Sequence, residues 1–493
     1  MRASPAWRAL QLAALTALLA GVGFLSMERK LPVLGADIGW HLKTGDWIVE
    51  HRAFPHAGIF SRTAATRPWL AYSWGYEVLL SRSYAWMGLV GMALFGAALT
   101  LLVAFSIFCM AERLSRRFWI ALVLAAFACE SILLLRIVPR PAFFSIAWFC
   151  VVLTLLFEAQ RDGGVQRLYW LPLLFLAWAN LHIQFVYGLA ALALLLAVNV
   201  AQQLAARANR LSNYLLPATL PCAPLALIFA LCVVATMIAP YSYHLYEVIF
   251  RYSQARVPYA MVEELQPFRL RFPANYLQLL LAIAAFAAIG FRKQLDLFKL
   301  LLLALATVFA YRTMRDAWFQ VTVAVACLAD FARAHAETGQ RRSPLQLAGV
   351  FSAVALLLFL GVPRAGFNTP ALERAIAARF PVDAVHYLQQ NPAPRPLWNI
   401  FDWGGFLAWY LPQYPVSIDP RTDLYGDELL DRFNRTENGA ADYRDDPYLN
   451  EAGVVLLRTR GPLAQLLRDD PRFRQAYADR MATVFVRRSL AVP

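Results

Sequence analysis

A chain built from repeated apolar stretches of about 20 residues, each long enough to cross the hydrocarbon core of a bilayer, has few ways to fold. Such runs fall near residues 9–27, 84–110, 118–135, 142–158, 168–182, 184–204, 214–239, 275–291, 298–311, 317–331 and 345–362. They predict about eleven spanning helices, the pair around 168–204 being the shortest. Composition agrees, with 59% hydrophobic and 16% charged residues among 493, against about 45–50% and about 25% in soluble domains. A water-soluble globule of this make-up would leave large apolar areas wet, so a disordered chain and a cytosolic enzyme are excluded. The first run follows Arg2 and Arg8 and has no clean small-residue cleavage site, so a retained helix is expected.

Charge sets the expected orientation. The net charge is +14, and the tail from Arg364 onward carries sixteen basic and sixteen acidic residues, so the excess belongs to residues 1–363. With a cytoplasmic N-terminus, the inner links carry Arg113, Arg116, Arg117, Arg161, Arg167, Arg207, Arg210, Arg292, Lys293, Lys299, Arg333, Arg341 and Arg342, as the positive-inside bias requires. An odd number of spans then leaves the tail outside. Two long outer loops, 28–83 and 240–274, are expected. The outer links nevertheless hold Arg136, Arg140, Arg312 and Arg315. Two readings stay open for these four: headgroup anchors, or a site for a lipid phosphate, which a guanidinium meets with paired hydrogen bonds. No soluble basic domain exists to carry a nucleic acid.

The domain division expected is a transmembrane part, 1–363, and an extracytoplasmic soluble α/β domain, 364–493. In the tail, 415–419, 453–457 and 483–486 read as buried strands, and 382–390, 404–411, 427–433 and 461–468 as helices. Cys109, Cys129, Cys150, Cys222, Cys232 and Cys327 all lie in apolar runs without metal spacing, which suits packing rather than disulfides or metal.

The first outer loop carries the chemistry. In Ala36–Glu50, residues Asp37, Trp40, His41, Thr44 and Ile48 share one helical face by 3–4 spacing. A carboxylate beside a low-dielectric region is suited to general-base work, and His41, one turn from Asp37, is placed to share its proton. The alternative for Asp37 is a helix N-cap. Glu77, Asn180 and His182 stand near span ends and are candidates for lining a cavity or gripping an acceptor; the alternative for Asn180 and His182 is a helix end satisfied by water. Glu263-Glu264 is a runner-up base. In the tail, Asp419, Arg421 and Asp423 follow an expected strand and suit a structural or acceptor-gripping role.

The pattern Asp37-x-x-Trp40-His41-Leu42-x-x-Gly45, followed by Pro55, Phe60-Ser61 and Pro68-Trp69, resembles the first outer loop of a set of bacterial membrane proteins similar to the GT-C superfamily of glycosyltransferases. Arg140-Pro141, Trp178-Ala179-Asn180-Leu181-His182, the 312–319 segment, Asp402-Trp403-Gly404-Gly405 and Ile418-Asp419-Pro420-Arg421-x-Asp423-Leu424-Tyr425-Gly426 extend the likeness over nearly the whole chain. The resemblance implies a polytopic helical bundle with a C-terminal α/β domain in a bacterial inner membrane. It implies transfer of a sugar from a polyprenyl-phosphate-type donor to an extracytoplasmic glycan, lipid or protein acceptor, with inversion. Asp37 matches the first-loop acid that serves there as general base. The chain departs from the adjacent acidic pair of many members, since Ile38 and Gly39 follow Asp37; a divalent metal therefore lacks a paired acidic motif, and no cofactor is assigned.

The expected enzyme therefore has Asp37 as base, His41 as its partner, and Arg136, Arg140, Arg312 and Arg315 as donor-phosphate clamp. The alternatives are a carrier or flippase for a lipid-linked or anionic substrate and a non-catalytic assembly protein for an envelope polysaccharide. A carrier would need ionisable groups near the middle of several spans, whereas here the span centres are nearly free of charge and the ionisable groups are expected to cluster at one face.

Overall fold

The computed structural model describes residues 4–30, 33–133, 140–208, 213–333 and 344–488. In chain order the helices are α1 (Pro5–Glu28), α2 (Ile38–His51), α3 (Trp74–Ser115), α4 (Phe118–Leu133), α5 (Ala142–Asp162), α6 (Leu171–Ala179) and α7 (Phe185–Arg207). There follow α8 (Cys222–Thr236), α9 (His244–Gln254), α10 (Val257–Met261), α11 (Pro273–Gly290), α12 (Leu297–Arg312), α13 (Ala317–Ala332) and α14 (Pro344–Ala365). The tail adds α15 (Thr369–Ala377), α16 (Val382–Gln390), α17 (Gly404–Tyr410), α18 (Thr422–Glu437), α19 (Pro447–Glu451) and α20 (Pro462–Arg468). Its strands are β1 (Leu397–Asn399), β2 (Val454–Arg458), β3 (Phe473–Ala478) and β4 (Ala482–Arg487).

The chain divides into two compact units. A helical unit comprises Met1–Arg29, Gly96–Ser242 and Glu264–Gly366; a mixed unit comprises Lys30–Phe95, Tyr243–Glu263 and Phe367–Pro493. α3 contributes to both, and its helical geometry breaks at Met87 and Gly88, the latter at φ +59°.

In the helical unit, each expected apolar run contains a helix, and among the described residues six helices are long and apolar enough to cross a membrane. Their outer faces could not face water: Leu356, Phe359 and Leu360 on α14 are 57%, 73% and 54% exposed. The protein is a multi-pass membrane protein. α13 is the centre, buried along almost its whole length and packed against α4, α5, α11 and α12. Within it Gln320 Oε1 accepts from Gln278 Nε2 at 2.7 Å, a polar pair formed away from water.

Two runs come out shorter than expected. The 168–182 run is a 3-10 turn (Gln166–Trp170) followed by the nine residues of α6, about 14 Å at 1.5 Å per residue and too short to span alone. The 214–239 run is helical only from Cys222 to Thr236, because Pro217 and Pro221 hold the preceding residues extended.

Charged side chains mark two levels of the helical unit. α5 and α13 run parallel: Arg140 and Arg315, just before their first turns, share Glu264. At their far ends, Arg161 Nη1 lies 3.8 Å from Asp330 Oδ1. α12 runs the other way, its Lys299 Nζ lying 2.8 Å from Asp330 Oδ2 and 2.9 Å from Asp296 Oδ2. The 21 residues of α5 measure about 31 Å, close to the roughly 30 Å of a hydrocarbon core. Ionic groups thus stand where headgroups would be.

The mixed unit contains a four-stranded sheet in the order β1-β2-β4-β3, with β1 and β2 parallel and the other pairs antiparallel. Two of the three expected strands are β2 and β4. The third, 415–419, is not a sheet strand. Its backbone pairs instead with the first loop, Arg62 N donating to Val416 O at 2.8 Å and Val416 N to Phe60 O at 3.0 Å. The Asn399 amide then bonds Ile418 O and Ser417 N, both at 2.8 Å. A polar side chain on β1 takes the place of a ladder partner there.

Candidate functional site

α2 is positioned by two glycines. A Cβ on Gly39 would lie 2.1 Å from the carbonyl oxygen of Gly405, and one on Gly45 would lie 2.0 Å from that of Glu77. Only hydrogen fits, so α2 lies against the start of both α17 and α3. This brings His41 onto Glu77: Nδ1 is 3.1 Å from Oε1, with both residues buried. An ionised Glu77 makes Nδ1 the donor. The imidazole stacks on Trp40 with centroids 3.6 Å apart, and Trp40 meets Trp69 edge-on at 6.0 Å.

The tail closes the cluster. Arg421 is fully buried, donating from Nε to Asp419 Oδ1 at 2.9 Å and from Nη2 to Asp419 Oδ2 at 2.6 Å and Ile59 O at 2.8 Å. Its guanidinium stands 4.6 Å above the Trp69 ring, a cation–π contact. Tyr425 donates to Asp419 Oδ2 at 2.7 Å. Among the described residues, neither Glu77 Oε2 nor Arg421 Nη1 finds a hydrogen-bond partner, and both atoms are buried. Buried charged atoms of this kind are uncommon outside functional sites.

Asp37 occupies the N-cap position of α2, but its side chain does not cap the helix. Its Oδ1 accepts from Trp40 Nε1 at 3.5 Å, so the carboxylate is at the edge of the same cluster. Asp423 is the group that motif reading undervalued. Burial pushes its carboxyl up to about 6, against the opposing pull of Arg421, which poises it for proton transfer near neutrality. The signal for it was the spacing in Asp419-x-Arg421-x-Asp423.

The helical unit holds the other candidates. Glu264 accepts from Arg140 Nη1 with both oxygens at 2.7 Å and from Arg315 Nε at 3.1 Å. Burial alone would raise the Glu264 carboxyl, but the two guanidiniums prevail and hold it well below the usual range. Asp316 is raised by burial and held by Tyr187, whose hydroxyl donates at 2.6 Å, and by Thr313 at 2.9 Å. Arg312 is exposed at the end of α12, and Arg136 lies outside the described residues. Asn180 Nδ2 donates to Leu176 O at 2.8 Å and Ile238 O at 3.2 Å. Ser145 Oγ accepts from Trp178 Nε1 at 2.7 Å and lies 2.8 Å from His182 Nδ1, so its hydroxyl hydrogen is free for the imidazole.

The structure thus gathers Asp37, His41 and Glu77 with tail residues in the mixed unit, and Arg140 and Arg315 on one carboxylate in the helical unit. The first cluster can move a proton. The second presents two forked donors to a single anion. Among the described residues, no group of three or more His, Cys, Asp or Glu side chains is arranged to hold a metal ion.

No family profile matches the sequence, and no curated protein matches it. Solved structures do. ArnT from Cupriavidus metallidurans, bound to undecaprenyl phosphate, aligns over 99% of this chain and 99% of its own with a TM-score of 0.52 and 14% identity. The oligosaccharyltransferase of Archaeoglobus fulgidus, in the apo form, aligns over 99% of this chain and 75% of its own with a TM-score of 0.57 and 10% identity. Whole-chain superposition at such low identity means that the chain shares the GT-C-like fold of these proteins: a polytopic helical bundle with a C-terminal domain.

Proposed function

We propose that this protein is a membrane glycosyltransferase that takes a sugar from a polyprenyl-phosphate donor and passes it, with inversion, to a hydroxyl-bearing acceptor outside the cytoplasm. The observation that carries the reading is the Arg140–Glu264–Arg315 cluster at one headgroup level of an apolar bundle. Two guanidiniums on one carboxylate form a receptor for an anion of that size. A donor phosphate displaces Glu264, and the arginines then stabilise the negative charge left on the lipid phosphate as the sugar departs. The bond from the anomeric carbon to the phosphate oxygen breaks, the bond to the acceptor oxygen forms, and the acceptor's proton goes to a carboxylate. Asp37 is assigned that proton, with the buried His41–Glu77 pair fixing the helix that bears it and Asp423 as the second acid of the cluster. Charges at span ends rather than span centres favour surface chemistry over transport.

The test uses the full chain in nanodiscs with a radiolabelled polyprenyl-phosphate sugar and extracts of envelope acceptors. Arg140→Gln/Arg315→Gln is expected to lower transfer at least 100-fold and to weaken donor binding. Asp37→Asn is expected to leave donor binding intact while transfer falls at least 100-fold. Full transfer by Asp37→Asn together with loss in Asp423→Asn would reassign the base; wild-type transfer by the arginine double variant would remove the reading altogether. Labelling of a cysteine placed at residue 37 from outside intact cells checks the assigned side.

A further inference from the structure

The opposite end of α5 carries a second basic cluster that the proposed reaction does not use. Glu158, 6% exposed near the end of α5, gathers three guanidiniums. Arg113 is bidentate, Nε to Oε1 and Nη2 to Oε2, both at 2.8 Å. Arg167 Nη1 donates to Oε2 at 2.8 Å, and Arg161 Nη2 lies 3.9 Å from Oε1. The side chains of Arg113 and Arg167 remain 47% and 53% exposed, so their outer N–H groups face away from the carboxylate that orients them. Segments 112–117 and 158–167 with Arg333 hold six arginines against Glu112, Glu158 and Asp162, an excess of three positive charges.

We propose that this cluster is a binding site for the phosphodiester of an anionic glycerophospholipid, with Arg113 and Arg167 as the forked donors and Glu158 as the residue that positions them. Three arguments favour the lipid. The cluster stands at the end of apolar helices, Glu158 lying about 27 Å along α5 from Arg140, at the level of the second leaflet's headgroups. It is formed at C-terminal helix ends, where cations are favoured, and needs an anion to balance it. Finally, the positive charge there is strong enough to act on itself: partial burial and the neighbouring Arg161 and Arg116 hold the Arg333 guanidinium below its ordinary pKa. Basic pockets between membrane helices take anionic headgroups for the same reason.

The full chain is reconstituted in nanodiscs of phosphatidylcholine and of an equimolar mixture with phosphatidylglycerol, and its Tm and retained lipid are measured. Wild type should retain phosphatidylglycerol selectively and gain several degrees in Tm; inorganic phosphate added to phosphatidylcholine nanodiscs should give neither. Each guanidinium removed should cost about fivefold in lipid affinity, so Arg113→Gln/Arg167→Gln should lose about 25-fold. Because that variant strands Glu158, Arg116→Gln/Arg333→Gln serves as the companion, leaving the Glu158 bonds in place; it should lose severalfold with an unchanged Tm in phosphatidylcholine. Arg460→Gln, which removes one exposed guanidinium in the mixed unit, should change neither reading. Equal lipid retention by wild type and both double variants, the same loss in Arg460→Gln, or reproduction of the Tm gain by inorganic phosphate would each overturn the proposal.

Discussion

Two arginine clusters of the helical unit and the Arg421 cluster of the mixed unit treat charge in opposite ways. In the helical unit a single carboxylate faces several arginines: Glu264 has two and Glu158 three. In the mixed unit a single guanidinium, Arg421, serves a group of acids, bonding Asp419 directly and acting on Asp423. Surplus arginine invites an external anion, whereas surplus acid under a low dielectric retains protons. The proposed reaction, in which a phosphate is held and a proton accepted, would draw on both arrangements.

The contrast can be broken by substitution, and the largest effect should come from Arg421. Arg421→Met leaves Asp419 charged and buried, and removing one partner of such a pair costs about 3–5 kcal/mol; Asp419→Asn/Arg421→Met should recover part of it in thermal unfolding. Gly45→Ala forces a methyl against the Glu77 carbonyl 2.0 Å away and should cost about 1–3 kcal/mol, together with loss of transfer. Asp423 sharpens the acid side. Its folded pKa of about 6 lies above the ordinary 3.8, so the folded state binds the proton more tightly. The stability this contributes is fully present below about pH 4 and is lost as pH rises through 6, by on the order of 3 kcal/mol. Asp423→Asn should flatten that slope. Glu264→Gln sharpens the arginine side, since Arg140 and Arg315 would no longer be neutralised; the proposed polyprenyl-phosphate donor should bind about tenfold more tightly. The smallest effect is expected at the exposed Arg435–Asp442 pair, where Arg435→Gln should change stability by about 0–1 kcal/mol.

The helical unit was legible in the sequence because its rule is simple: apolar length decides where a helix lies. The exceptions were proline effects, at Pro217 and Pro221, and one run whose helix is only nine residues long. The α2 helix was legible from its 3–4 spacing. What pattern could not supply was partnership. His41 was assigned to Asp37 by its place one turn along the helix, yet its ring meets Glu77, 36 positions away. The 415–419 strand was misplaced because a buried extended run says nothing about which neighbour satisfies its backbone; here that neighbour is residues 60–62 and the Asn399 side chain. The short strand β1, at three residues, carried no usable period. Arg140 and Arg315 were singled out as arginines against the positive-inside bias, but the acid between them was weighed only as a base.

The contact of Gly39 with Gly405 has a consequence for biogenesis. Ribosomes add about 5–20 residues per second, and Gly405 emerges roughly 370 residues after Gly39, so α2 waits on the order of 20–70 s for the surface that covers it. Through that interval the segment bearing Asp37 has α3 on one side and lacks its α17 cover on the other, and a pulse of protease during synthesis should cut there and nowhere near it once the chain is complete.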